Sequence, residues 1–276
     1  MNRIKSLSFS LTAGFALGIS TALPVFISIA QAQEIIYESS EKGEITREIK
    51  TADTQGVRGL RGLRGLRGLR GVRGVRGACK QLEDDFALRV LAPNRTGKTV
   101  DAQPTLYWYI SQPLSNAEFT FILDKMPDPD AFEFSEPLIK THFTLSPEEG
   151  VQTLLFSKIV PEDNPGFSLE KDVEYKWSLL LECHPDFPSL DIVATAGIKY
   201  VGSSPALLKA FSETGANKAY LYAKHGIWYN AIDELSKEIQ KNPNNSKPRL
   251  ARVSLLEQVG LHKATQDQSR GVRGLR

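Results

Sequence analysis

The chain has 276 residues, of which 41% are hydrophobic and 24% charged, and a formal net charge of +2. Ten arginines in Gly-Leu/Val-Arg triplets and a short tail carry +10 of that charge, so the rest of the chain is at −8. This excludes reading the basic balance as a nucleic-acid-binding surface on a folded body, which is mildly acidic.

Residues 1–32 have the three parts of a secretory signal: Arg3 and Lys5, an apolar stretch from Leu7 to Ile29, and Ala30-Gln31-Ala32 as a cleavage site. Cleavage before Gln33 is the expected processing, and the apolar stretch is also long enough to serve as an uncleaved anchor. No later segment is apolar enough to span a bilayer, so the mature chain is expected to be periplasmic or secreted. Residues 33–55 are polar apart from Ile35-Ile36-Tyr37 and read as a disordered leader.

Seven perfect triplets occupy Gly56 to Arg76, and the unit returns at Gly271 to Arg276. The array contains no acidic, aromatic, Ser or Pro residue and cannot build a core. Residues 56–77 therefore read as a basic linker, and residues 263–276 as a disordered basic tail. Arg58, Arg61, Arg64, Arg67, Arg70, Arg73 and Arg76 are candidate contacts to an anionic polymer or lipid surface, with strong salt dependence. Without proline, the triplets are a poor collagen sequence.

From residue 78 to 202 the hydrophobic period is two. Phe86, Leu88 and Val90 share one face of a first strand, and Thr105 to Ile110 is a second. Phe119, Phe121 and Leu123 alternate in a third. Ile139 to Leu145, Val151 to Ile159, Tyr175 to Cys183 and Ile192 to Val201 complete seven. Turn-rich spacing of short strands predicts an antiparallel β-sandwich of immunoglobulin-like architecture. Export places Cys79 and Cys183 where an even cysteine count reads as one disulfide, with two free thiols as the alternative. Cys183 shares its strand parity with Trp177 and so points toward the same core.

Beyond Val201 the period becomes helical, giving an α+β protein whose residues 203–262 form a small helical domain. Ser204-Pro205 is an N-cap followed by proline at the first helical position, with Leu207, Leu208 and Phe211 as the apolar face. Further helices are predicted over 217–225, 228–241 and 248–259, punctuated by Gly226, Asn242-Pro243 and Gly260. Ala219, Tyr222, Gly226, Ala231, Leu235 and Pro243 resemble one tetratricopeptide hairpin. A lone unit of that kind must pack on something else.

Cys79, the Trp108 strand, the Trp177 to Cys183 strand, Ser204-Pro205-Ala206-Leu207 and His225 to Ala231 together resemble the cyanobacterial domain of unknown function 928 family, over residues 78–262. The resemblance implies an exported protein with a sandwich-like body and helical C-terminus, and supplies no catalytic residues. The long triplet insert departs from the family pattern.

No catalytic, metal or cofactor motif stands out. His184, in Cys183-His184-Pro185-Asp186, has a carboxylate near enough to orient it, but a loop His beside a structural Cys reads as inert. His225 complements a helix C-terminus. Asp124, Asp128, Asp130 and Glu133 crowd one loop without the calcium-loop pattern. Asn94 to Thr99 contains Gly97-Lys98-Thr99, yet Ala92 occupies the first glycine position of a phosphate-binding loop, and the segment reads as a strand-joining turn. Tyr222, Trp228 and Tyr229 are candidate partner-binding aromatics, with helical core packing the alternative for two of them. The expected function is noncovalent binding to an envelope protein or anionic surface, without nucleic acid; a hydrolase or carbohydrate-processing site assembled on the sandwich is the alternative.

Overall fold

The computed structural model describes residues 34–39, 79, 82–83, 86–126, 136–162, 164–184, 190–261 and 264. The expected signal segment, the triplet arginines, Asp128, Asp130 and Glu133 and the basic tail lie outside the described residues, except for Ala264, which is fully buried in the core where a disordered tail was expected.

Among the described residues eight strands and four helices follow one another: β1 (Leu88–Val90), β2 (Gly97–Thr99), β3 (Thr105–Ile110), β4 (Ala117–Lys125), β5 (Ile139–Leu145), β6 (Gly150–Leu155), β7 (Glu174–Leu181), β8 (Ile192–Tyr200), α1 (Pro205–Thr214), α2 (Lys218–Lys224), α3 (Trp228–Lys241) and α4 (Ser246–Gln258). The strands form a three-stranded sheet, β1-β3-β6, and a five-stranded sheet, β2-β8-β7-β4-β5. Phe119, Phe121 and Leu123 are fully buried, as their alternation requires, and the Trp108 ring of the smaller sheet lies 5.3 Å from that of Phe119 in the larger. The interior between the sheets is thus aromatic, and such pairs contribute about 0.5–1.5 kcal/mol beyond their burial.

Two of the strands differ from the sequence expectation. The Asn94–Thr99 segment is more than a turn: Gly97–Thr99 pairs with Ile198–Tyr200, and it does so in parallel, so the strands are not all antiparallel. Three residues are too few for a period-2 signal to register. The Val151–Ile159 strand stops at Leu155 and closes in a 3₁₀ turn over Phe156–Lys158, which buries Phe156.

Local chemistry fixes the helix ends. Ser204 accepts from the Leu207 amide and precedes Pro205, while Gly215 ends α1 in the left-handed region. Asn217 and Asn245 cap α2 and α4 through their side-chain oxygens. Gly226, at φ +70°, lets the chain reverse between α2 and α3. Leu208, expected on an apolar face, is instead 55% exposed, as is Leu250 of α4 at 50%. The inward positions beside them fall to Leu207 and Ala251.

Sheets and helices do not keep separate cores. Trp228, Tyr229, Ala231, Ile232 and Leu235 of α3 belong to the same buried cluster as Trp108, Phe121 and Trp177. Residues 34–39, expected within a disordered leader, are packed: Ile35 is 1% exposed and joins the same cluster. An isolated apolar patch in a polar segment gives no periodicity to read, and only the groove that receives it explains the patch. Cys79 and Cys183 form a disulfide with Cα atoms 4.5 Å apart across 104 residues of chain. For a loop of that size the chain-entropy model gives at most about 4.7 kcal/mol of stabilisation.

Candidate functional site

The short strand β2 organises a concavity. Its alternation buries Gly97 and Thr99 and leaves Lys98 partly exposed. On the inner side, a Cβ on Gly97 would lie 2.8 Å from the Tyr229 ring, so the glycine is required by helix packing. Thr99 and the Val100 amide both bond the Asn230 side-chain oxygen, at 3.1 and 2.9 Å, and Asn230 donates to Asp101 at 2.7 Å. The Gly-Lys-Thr triplet thus owes two of its three residues to docking of α3.

On the outer side lies a cleft of about 580 Å³. Asn94, Arg95, Thr96 and Lys98, with Pro93, form one wall. Tyr37 and Ser39 of the N-terminal segment form another, and Gln258, Val259 and Gly260 at the end of α4 close it. The lining is rich in donors: a guanidinium, an ammonium, two carboxamides and three hydroxyls. Among the described lining residues there is no carboxylate, imidazole or thiol. Burial raises the Tyr37 hydroxyl to about 12, so it stays protonated and able to donate at neutral pH.

The three aromatic candidates for partner binding are engaged internally. Trp228 is fully buried and donates from its indole to the Leu91 carbonyl at 2.9 Å. Tyr229, 3% exposed, accepts from the Trp177 indole at 2.9 Å and donates to the Gly197 carbonyl at 2.8 Å, and burial pushes its pKa up. Tyr222 is half-buried, edge-on to Phe211 at 5.1 Å. The first turn of α3 is therefore a wedge against the sheets, because its aromatics carry polar tips that find partners on three strands or their flanks. Deeper along α3, Asp233 accepts from the Tyr107 hydroxyl at 2.9 Å and from Lys237 at 2.5 Å. Arg252 of α4 donates to Ser236 at 3.0 Å, and burial and Arg249 lower its pKa to about 10.

A second polar group lies at the far end of the larger sheet. His142 Nδ1 is 2.7 Å from Thr120 Oγ1 and 3.0 Å from Glu182 Oε1, and Thr120 also donates to Glu182. The hydrogen bond from Thr120 is the main reason that Glu182 is more acidic than usual, with His142 and Lys140 adding to it. A hydroxyl–imidazole–carboxylate relay needs its two partners on opposite ring nitrogens. Here both meet Nδ1, so the arrangement is a cross-strand contact. His184 is half-buried next to the disulfide, its presumed partner Asp186 lies outside the described residues, and His225 is the C-cap residue of α2. Among the described residues no group of three or more His, Cys, Asp or Glu could hold a metal, and no helix is long and apolar enough to cross a membrane. Asp124 instead pairs with Lys176 at 3.2 Å.

Sequence reasoning missed the cleft. Its basic wall was visible as Asn94-Arg95-Thr96 and Lys98, but Tyr37 and Gln258 come from segments more than two hundred residues apart and only folding joins them.

The class of protein defined by this geometry is a mixed α+β protein of two sheets and four helices, one of whose helices is wedged against the sheets, tied by one disulfide. Over residues 68–269, more than half its length, the chain matches the family described as Domain of Unknown Function (DUF928), and it belongs to that family. No curated protein matches it.

Proposed function

We propose that the protein is an exported, non-enzymatic binding protein whose cleft takes an anionic, hydroxyl-bearing ligand such as a carboxylated or phosphorylated saccharide. The observation that carries this reading is the donor-rich lining, in which Arg95 and Lys98 face the space together with Asn94, Thr96 and Ser39. Binding sites hold such ligands with a few placed polar groups in a concave surface of a few hundred Å³. Glycoside hydrolysis uses a pair of carboxylates flanking the bond. The described lining offers none, which favours binding over hydrolysis at this place. Export is supported by the tripartite pattern of residues 1–32 and by the Cys79–Cys183 disulfide, since such bonds persist outside the reducing cytosol.

The scaffold reading is an immunoglobulin-like sandwich carrying a tetratricopeptide-like hairpin. Strand order supports it: β1-β3-β6 correspond to strands A, B and E, and β8-β7-β4-β5 to G, F, C and C′, with β2 added in parallel to β8. The disulfide departs from that pattern by joining the flanks of β1 and β7. The hairpin α2–α3 packs on α1, α4 and the sheets.

Isothermal titration with oligogalacturonate, glucose 6-phosphate and a neutral cello-oligosaccharide tests the binding reading. The anionic probes should bind more weakly as salt rises. The doubly substituted Arg95→Ala/Lys98→Ala protein should lose at least about tenfold in affinity, roughly 1.4 kcal/mol, at a temperature where circular dichroism shows it folded. Equal binding of the neutral probe, or an unaffected double variant, would sink the proposal.

A further inference from the structure

The short N-terminal segment is held in the manner of a bound peptide. Ile35 is 1% exposed, Ile36 is 57% exposed, and Tyr37 turns back inward to meet the Trp228 ring edge-on at 4.9 Å. This is the alternation of an extended chain reading a surface with every second side chain. Its backbone is gripped at both ends of that step. The Gln258 carboxamide accepts from the Tyr37 amide at 2.9 Å and donates to the Ile35 carbonyl at 2.9 Å, and the Glu38 amide donates to the Ala223 carbonyl at 3.1 Å. A single amide satisfying residues i and i+2 does for this segment what a neighbouring strand does in a sheet.

The elements that grip it are the last turn of α2, the start of α3 and the end of α4, all far away in sequence. Chain continuity does not hold the segment there. The described chain resumes only at Cys79, which the disulfide fixes beside the end of β7. From Ile198, the level at which β2 joins β8, to Ile192 at the Leu181 end of β7 is six residues, roughly 20 Å of strand. Residues 40–78 could span many times that distance, and would still do so without the 21 residues of the triplet array. Their length places no demand on where residues 34–39 bind.

We infer that the groove between α2, Trp228 and Gln258 is a recognition site for an extended apolar-x-aromatic peptide, filled in cis by Ile35-Ile36-Tyr37. Tethering raises the local concentration of the segment to the millimolar range, which keeps a site of modest intrinsic affinity occupied. The inference does not depend on what the cleft binds.

The test places a specific protease site in place of Gly65-Leu66-Arg67 in the full chain, cuts it, and removes the N-terminal fragment by gel filtration. A fluorescein-labelled peptide spanning residues 33–40 is then titrated onto the remaining protein by anisotropy. Saturable binding tighter than about 1 mM is expected. The Ile35→Asp peptide should bind at least about tenfold more weakly, and the Ile36→Asp peptide as well as the parent. A Gln258→Ala body should weaken the parent peptide and leave the body's thermal transition in place. Absence of saturation, or equal loss with both peptide substitutions, would overturn the inference. So would loss of a cooperative thermal transition once the fragment is gone, because residues 34–39 would then belong to the fold and not to an exchangeable site.

Discussion

The two faces of β2 serve opposite ends, and the contrast separates what holds this protein together from what it presents. Inward, Gly97 and Thr99 meet Tyr229 and Asn230 in a seam where the main polar tips have partners: indole to hydroxyl, hydroxyl to carbonyl, amide to side-chain oxygen. Outward, Lys98 and Arg95 line an open cleft together with residues brought from both termini of the folded unit. Substitutions on the inner face should change stability, and those on the outer face should change binding alone. A buried polar group left without its partner costs about 1–3 kcal/mol, whereas surface changes usually stay within about 0.5 kcal/mol.

The largest effect is expected from Trp228→Ala, which empties a fully buried site between Leu91 and Tyr37 and strands the Leu91 carbonyl. Truncations of this kind cost about 3–5 kcal/mol, and urea denaturation followed by Trp fluorescence would measure it. A loss below about 1 kcal/mol would mean that α3 is not the wedge described here. Next comes Gly97→Ala. The added methyl would need the Tyr229 ring to move, because 2.8 Å is too close for carbon. Overpacking of this type costs about 1–3 kcal/mol, and a melting temperature equal to that of the parent would remove the seam from the account. Gly97→Ala should leave the cleft's salt-dependent binding intact where the protein remains folded, whereas Trp228→Ala also removes the ring against which Tyr37, one wall of the cleft, is held.

Most of the sheet was legible in the sequence because alternation over six or more residues is a strong signal: Phe119, Phe121 and Leu123, or Tyr175, Trp177 and Leu179, can share only one face. The helix ends at Ser204, Gly226 and Asn242 were legible for a different reason, since caps are local chemistry. What escaped was relational. Gly97-Lys98-Thr99 resembles a fragment of a phosphate loop and by its sequence reads as a turn, and no rule of spacing points from Gly97 to Tyr229, 132 residues later. For Tyr222, Trp228 and Tyr229 the sequence offers both a partner-binding surface and, for two of them, core packing, and no periodicity says which two. The sheets, absent from any helical-wheel argument, claim two of the three and Phe211 claims the third. Ile35 to Tyr37 looked too short to fold, and on its own it is; the groove supplies the ladder it lacks.

The smallest effect separates the seam from the N-terminal segment by pH. Burial raises the hydroxyl of Tyr37 from 10.0 to about 12, and burial likewise raises those of Tyr107, with Asp233 adding to the shift, and Tyr229. For each, the neutral form is the one the fold prefers, so the stabilisation is fully present below pH 10, the unfolded value, and is lost as pH rises through the folded value. Stability should therefore fall progressively above pH 10, with the Tyr37 share gone by about pH 12. Tyr37→Phe removes one ionising hydroxyl and keeps the ring against Trp228, so its alkaline fall should be shallower than that of the parent at nearly the same stability at pH 7. Denaturant midpoints collected between pH 8 and 11.5 measure the difference. Parallel curves for the two proteins would show that Tyr37 titrates as freely in the folded state as in the unfolded one, and the segment would then have to be released before its neighbours on α3 are disturbed.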